Sequence, residues 1–206
     1  MTSPVFPVEL VLATRNAGKV REFQALFAGS AVRIRSLAEF PAAVDPDETG
    51  DSFAENARIK AEAAARTTGL WALADDSGLC VDALDGRPGI RSARYADGSD
   101  AARWQKLLGE LQGVSEAQRT ARFVCALVLF APDGRIFAAE GACEGRIAFA
   151  PRGEQGFGYD PVFLVAGDAS GRTMAELPAD EKDRISHRGV AFRTLIEGLT
   201  RLRTAG

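Results

Sequence analysis

Two adjacent carboxylates, a hydroxyl and a glycine, Asp75-Asp76-Ser77-Gly78, lie just after the apolar run of residues 70–73. Carboxylate oxygens at the mouth of a buried strand suit a hard cation such as Mg2+, which keeps several waters and is shared between one or two protein carboxylates and substrate phosphates. The same residue types also punctuate turns, and on the tetrapeptide alone the two readings stand level. A further acid, Glu48, lies in Asp47-Glu48-Thr49-Gly50, ahead of a segment in which Asn56 and Lys60 fall one helical turn apart on one face. A carboxylate before that helix and a lysine within it could bind metal and neutralise phosphate. The plainer reading is a solvated helix face, the usual place of Lys and Glu.

Thr14-Arg15-Asn16-Ala17-Gly18-Lys19 connects a first strand to a first helix, where helix N–H groups lack intrahelical partners, Gly18 admits close backbone approach and Lys19 adds charge. That suits a phosphate. It is no Walker A loop, because the Gly-x-x-x-x-Gly-Lys-Ser/Thr spacing is absent, and an ordinary strand-to-helix turn with a solvated lysine is the competing reading. Gly156-Phe157-Gly158-Tyr159-Asp160-Pro161 combines aromatics that could stack on a base with an acid that could accept base N–H groups, or is a tight turn with core aromatics. Lys182 precedes Ser186-His187-Arg188, which contains the single histidine of the chain. A lone His is commonly structural; beside Arg at a helix start it also favours an anion or an electron-rich carbonyl oxygen.

The elements that must hold these residues follow from periodicity. Residues 8–13 read as a buried strand and 19–27 as a helix with Val20, Phe23, Leu26 and Phe27 on one face. Residues 52–67 form a second helix with a capping box between Ser52 and Glu55. A strand is expected at 70–74, a helix at 101–111 and a β-prone segment at 121–131, with a hairpin partner at 135–143 across the turn Pro132-Asp133-Gly134. A last helix, 187–203, is capped by Ser186 and presents Val190, Leu195, Leu199 and Leu202 to the core. This is an α/β pattern: an elongated mixed sheet flanked by helices, residues 1–206 forming one domain of two lobes with a central cleft.

Composition sets the outer limits. At 206 residues and 46% hydrophobic content the chain can bury a core without special staples. A net charge of -3 argues against a nucleic-acid polymer as partner, so that any nucleotide bound is expected to be small. Cys80, Cys125 and Cys143 are odd in number, widely spaced and set among apolar neighbours, as buried thiols of a reducing cytoplasm are. Neither a leader nor an apolar run of about 20 residues is visible, so a membrane is not expected.

The motifs together resemble one family. Thr14-x-Asn16-x-x-Lys19, Glu48-Thr49-Gly50-x-Ser52-Phe53-x-x-Asn56-Ala57-x-x-Lys60-Ala61, Ala74-Asp75-Asp76-Ser77-Gly78-Leu79, Pro88-Gly89-Ile90-x-Ser92-Ala93-Arg94-Tyr95, Gly156-Phe157-Gly158-Tyr159-Asp160-Pro161 and Ser186-His187-Arg188-Gly189 occur in order over almost the whole chain. The ordered set is similar to the Ham1/RdgB family of inosine/xanthosine triphosphate pyrophosphatases. Arg15 falls in a variable slot where glycine is frequent in relatives.

The resemblance implies hydrolysis of ITP, dITP and XTP to the monophosphate and pyrophosphate, with Mg2+, in a cytoplasmic homodimer. It implies Glu48 and Asp76 as metal ligands, Asp76 as the base for the attacking water and Lys60 as its catalytic partner. Thr14, Arg15, Asn16, Ala17, Gly18, Lys19 and Lys60 would cradle the triphosphate, and Ser77 would add a hydroxyl contact. Phe157, Gly158, Tyr159 and Asp160 would stack on and border the base, and Lys182, His187 and Arg188 would complete its pocket. Two rivals use similar residues: a Maf-like pyrophosphatase acting on modified or pyrimidine nucleotides, which the Ser186-His187-Arg188 and Phe157-to-Asp160 segments fit poorly, and a non-enzymatic nucleotide sensor.

Overall fold

The computed structural model describes residues 7–204. In chain order the elements are β1 (Glu9–Leu12), α1 (Ala17–Leu26), β2 (Arg33–Ser36), α2 (Phe53–Thr68), β3 (Trp71–Val81), α3 (Asp100–Glu110), β4 (Thr120–Phe130), β5 (Ile136–Ile147), β6 (Phe163–Val165), α4 (Ala179–Ile185) and α5 (His187–Thr204). The strands bond in the order β2-β1-β3-β4-β5-β6. β1 runs parallel to β2 and β3, and β5 runs antiparallel to β6. The sheet is therefore mixed and the fold α/β.

Two compact units share the chain. The first comprises residues up to Asp76, Cys125–Gly141 and those from Gly189 onward. Its strands obey the two-residue side-chain period. Leu10, Leu12 and Leu73 pack with Phe23 and Phe27 at α1 and with Phe192, Leu195 and Leu199 of α5. Val11, Ala13, Ala72 and Ala74, one residue out of phase, pack with Ala57, Ala61 and Ala64 of α2. The second unit, Ser77–Val124 with Ala142–Arg188, has its own core of Leu79, Val81, Leu107, Leu111, Phe123, Ile147, Val162 and Phe163. Each such Leu or Phe contributes about 1.5–3 kcal/mol of burial.

Several expectations need correction. β3 does not end at residue 74: it runs to Val81, so Asp75-Asp76-Ser77-Gly78 is strand and not turn. The apolar residues Leu79 and Val81 beyond the acids are fully buried and extend the strand into the second core. The Ser52 hydroxyl caps α2 by accepting the Glu55 N–H at 3.2 Å, but the Glu55 carboxylate accepts the Asp51 N–H, at 2.8 Å, instead of returning to Ser52. Leu202 is 62% exposed and Val190 half-buried, so α5 covers the core mainly through Phe192, Leu195 and Leu199. Cys80 is half-buried, unlike Cys125 and Cys143. The reading that no leader is present concerns in part residues 1–6, which lie outside the described residues. Among the described residues no helix is long and apolar enough to cross a membrane.

Candidate active site

The parity of β3 decides which lysine each acid meets. Asp75 shares the face of Leu73, toward α1, and its carboxylate lies 3.0 Å from Lys19 Nζ. Asp76 shares the face of Ala72 and Ala74, toward α2, and its Oδ1 lies 2.8 Å from Lys60 Nζ. Asp75 is 1% exposed and Asp76 8%. A buried carboxylate costs several kcal/mol unless it is paired, and each has a lysine.

Lys60 also reaches Glu48 Oε1 at 3.1 Å, so one ammonium joins two carboxylates from separate segments. The loop bearing Glu48 is held by Asn56, whose Oδ1 accepts the Gly50 N–H at 2.9 Å and whose Nδ2 lies 3.5 Å from Asp76 Oδ2. Glycine is required at position 50: a Cβ there would fall 2.6 Å from Glu55 Cβ and 2.9 Å from Asn56 Oδ1. Burial pushes the Asp76 carboxyl above its ordinary value, outweighing the lowering by Lys60 and Lys19. Burial alone would push Lys60 down, but Asp75, Asp76 and Glu48 together hold its ammonium above the usual lysine range.

At the start of α1, Asn16 is the N-cap: its Oδ1 accepts the Lys19 N–H at 3.1 Å, and Thr14 Oγ1 accepts the Asn16 N–H at 3.2 Å. These bonds consume two of the amides that a helix N-terminus could offer an anion, which leaves those of Ala17 and Gly18 for that role.

In the second unit Arg188 is 2% exposed, and its Nη2 donates to Ser77 Oγ at 3.0 Å. The buried His187 imidazole stacks on Phe123 with ring centroids 4.9 Å apart. Lys182 Nζ, also buried, donates to Asp160 Oδ2 at 2.7 Å. The half-buried Phe157 ring faces these cations, 5.2 Å from Lys182 Nζ and 5.8 Å from the Arg188 guanidinium. Gly156 has φ +79, and a Cβ there would lie 2.0 Å from Asp160 Oδ2, so only glycine lets the acid close on the loop.

The sequence model of the Ham1 family matches residues 10–198. The chain belongs to the Ham1 family. It is 57% identical over 191 residues to a dITP/XTP pyrophosphatase of Geobacillus kaustophilus, covering 92% of this chain and 93% of that protein. It is 51% identical to a dITP/XTP pyrophosphatase of Symbiobacterium thermophilum, covering 96% and 98%. Among solved structures it is similar to a HAM1 protein from Coxiella burnetii, with a TM-score of 0.83 and 44% identity over 94% of this chain and 98% of that one.

The Ham1 motifs thus fall into two groups. Asp76, Lys60 and Glu48 converge in the first unit; Ser77, Arg188, Phe157, Lys182 and Asp160 are linked in the second. The exposed side chain of Arg15 turns to Ala43 O at 2.7 Å and to Asp45 at 3.3 Å. Tyr159 is 4% exposed and donates its hydroxyl to Ser92 O at 2.9 Å, so its ring is core and not a base platform. Asp160 is engaged by the Phe157 N–H and Lys182, which gives it an orienting part. Sequence reasoning offered Asp75 only as one of two adjacent acids for a cation and did not pair it with Lys19, although the parity of β3 contains that signal. It placed Asn56 on the right face without seeing that it holds the Glu48 loop.

Proposed function

We propose that this chain hydrolyses the triphosphates of deaminated purines, ITP, dITP and XTP, to the nucleoside monophosphate and pyrophosphate. The observation that carries this reading is Asp76, held on Lys60 beside Glu48, in a chain so similar to named dITP/XTP pyrophosphatases.

Asp76 takes the proton of the attacking water. Lys60, kept charged by its three acidic neighbours, offsets negative charge gathering on the phosphate. Lys19 and the Ala17 and Gly18 amides bind the remaining phosphate oxygens. The donor set at Asp76 and Glu48 fits a hard divalent ion, because both ligands are carboxylates and Mg2+ asks for only one or two of these from protein. When bound there, the ion neutralises phosphate charge and acidifies water.

The base falls to the second group. Hypoxanthine and xanthine present a 6-keto acceptor where adenine presents an amino donor. Lys182, His187 and Arg188 supply donors, and leaving one buried and unpaired against adenine costs about 1–3 kcal/mol. Phe157 covers the base face. Mg2+ as the ion, a homodimer and a cytoplasmic setting are part of the proposal on the strength of the family resemblance alone.

Turnover of ITP, XTP, GTP and ATP with products resolved by phosphorus NMR tests the reading. ITP and XTP are expected to give monophosphate and pyrophosphate at kcat/KM at least about 100-fold above ATP, and excess EDTA is expected to stop the reaction. Release of single phosphates, or equal rates on ATP, would contradict it.

A further inference from the structure

The ring of Phe157 lies beside Lys182 and Arg188, and its backbone is held on both sides. The peptide unit before Phe157 is pinned by Asp160, whose Oδ2 accepts the Phe157 N–H at 2.9 Å. The peptide unit after it is pinned by Asp100, whose Oδ2 accepts the Gly158 N–H at 2.7 Å. Peptide units are rigid planes, so holding both planes that border a residue sets its φ and ψ and the direction in which its side chain leaves the backbone. Carboxylate acceptors make these bonds about twice as strong as neutral ones.

Asp160 lies within the same loop, but Asp100 comes from the first turn of α3, 58 residues away. Its other oxygen pairs with Arg103, whose Nη2 in turn donates to Gly98 O at 3.3 Å, so the acceptor is itself held. An acid in a helix's first turn ordinarily stabilises the helix end, yet that role needs no bond to a glycine amide on a distant loop.

We infer that Asp100 is a positioning residue for base selection: by clamping the Gly158 N–H it holds the Phe157 ring where it covers a purine whose keto edge meets Lys182, His187 and Arg188. The inference rests on the function proposed above. It predicts that losing the clamp weakens the preferred base more than it weakens the phosphate chemistry.

The test compares Asp100→Ala with Ser99→Ala. Ser99 caps the same helix through the Ala102 N–H, so its loss weakens the helix end without touching Gly158. For Asp100→Ala the Gly158 amide is expected to exchange with solvent at least about tenfold faster. Its kcat/KM for ITP is expected to fall about tenfold, mainly through KM, while residual ATP hydrolysis changes little. Ser99→Ala is expected to lose stability but keep the ITP-to-ATP ratio and Gly158 protection. Equal loss on ITP and ATP in Asp100→Ala, or Gly158 exchange no faster than in Ser99→Ala, would overturn the inference. Failure of the unsubstituted protein to hydrolyse ITP would overturn the proposed function instead, and Gly158 exchange would still decide whether the clamp exists.

Discussion

Arg188 and His187 are held in place before any substrate arrives, one by its bond to Ser77 Oγ and the other by stacking on Phe123. Side chains fixed in this way lose little freedom on binding, so their donors discriminate between bases at small entropic cost. His187→Ala or Arg188→Ala is expected to reduce kcat/KM for ITP and XTP by roughly 5- to 150-fold relative to any change on ATP, equivalent to about 1–3 kcal/mol per lost contact. Kinetics on the four purine triphosphates check this. A uniform loss would assign both residues to the phosphates.

At the level of elements, β3 and α2 do most of the positioning. The strand's parity sends Asp75 to Lys19 and Asp76 to Lys60, and the alanine stripe of α2 packs on the same strand face, so Lys60 comes within reach of Asp76. The loop bearing Glu48 depends on Gly50. Gly50→Ala forces a Cβ into Glu55 and Asn56 and should shift the loop, raising the Mg2+ concentration for half-maximal activity several-fold while leaving activity at saturating metal nearer to normal. A titration of rate against Mg2+ measures this, and an unchanged half-maximum would remove Glu48 from metal binding. The sequence made most of these elements legible because their apolar periods are strong. β2 was invisible, since Arg33-Ile34-Arg35-Ser36 has one apolar residue and no run. The end of β3 was misplaced because Asp, Ser and Gly read locally as a turn, whereas pairing with two lysines and the buried Leu79 and Val81 keep the strand going. The Asp100 contact spans 58 residues, and nothing in the local pattern around either partner announces it.

For the molecule as a whole, stability should respond to alkali through buried neutral groups of the second unit. Burial and the hydrogen bond to Glu110 push the Tyr95 hydroxyl up to about 12, and burial pushes the Cys143 thiol up to about 11. Burial likewise raises Tyr159. The unfolded chain ionises these groups at ordinary values, near 9 for Cys and 10 for Tyr, so their stabilising effect is complete below about pH 9 and is lost as pH rises through 11 and 12. The urea midpoint should therefore fall between pH 9 and 11. Combining Tyr95→Phe with Cys143→Ala should flatten that fall, and an equally steep one in the double variant would contradict the assignment.

ITP turnover by Asp76→Asn at saturating Mg2+ decides whether Asp76 is the group that performs the proposed chemistry on a phosphate held in the first unit. The amide keeps the shape of the carboxylate but not its charge or basicity, and Lys60 retains Glu48 as a partner. A fall in kcat of about 100- to 10,000-fold is expected, with circular dichroism and thermal midpoint close to those of the unsubstituted protein. Nearly normal turnover by this folded variant would remove Asp76 from the chemistry.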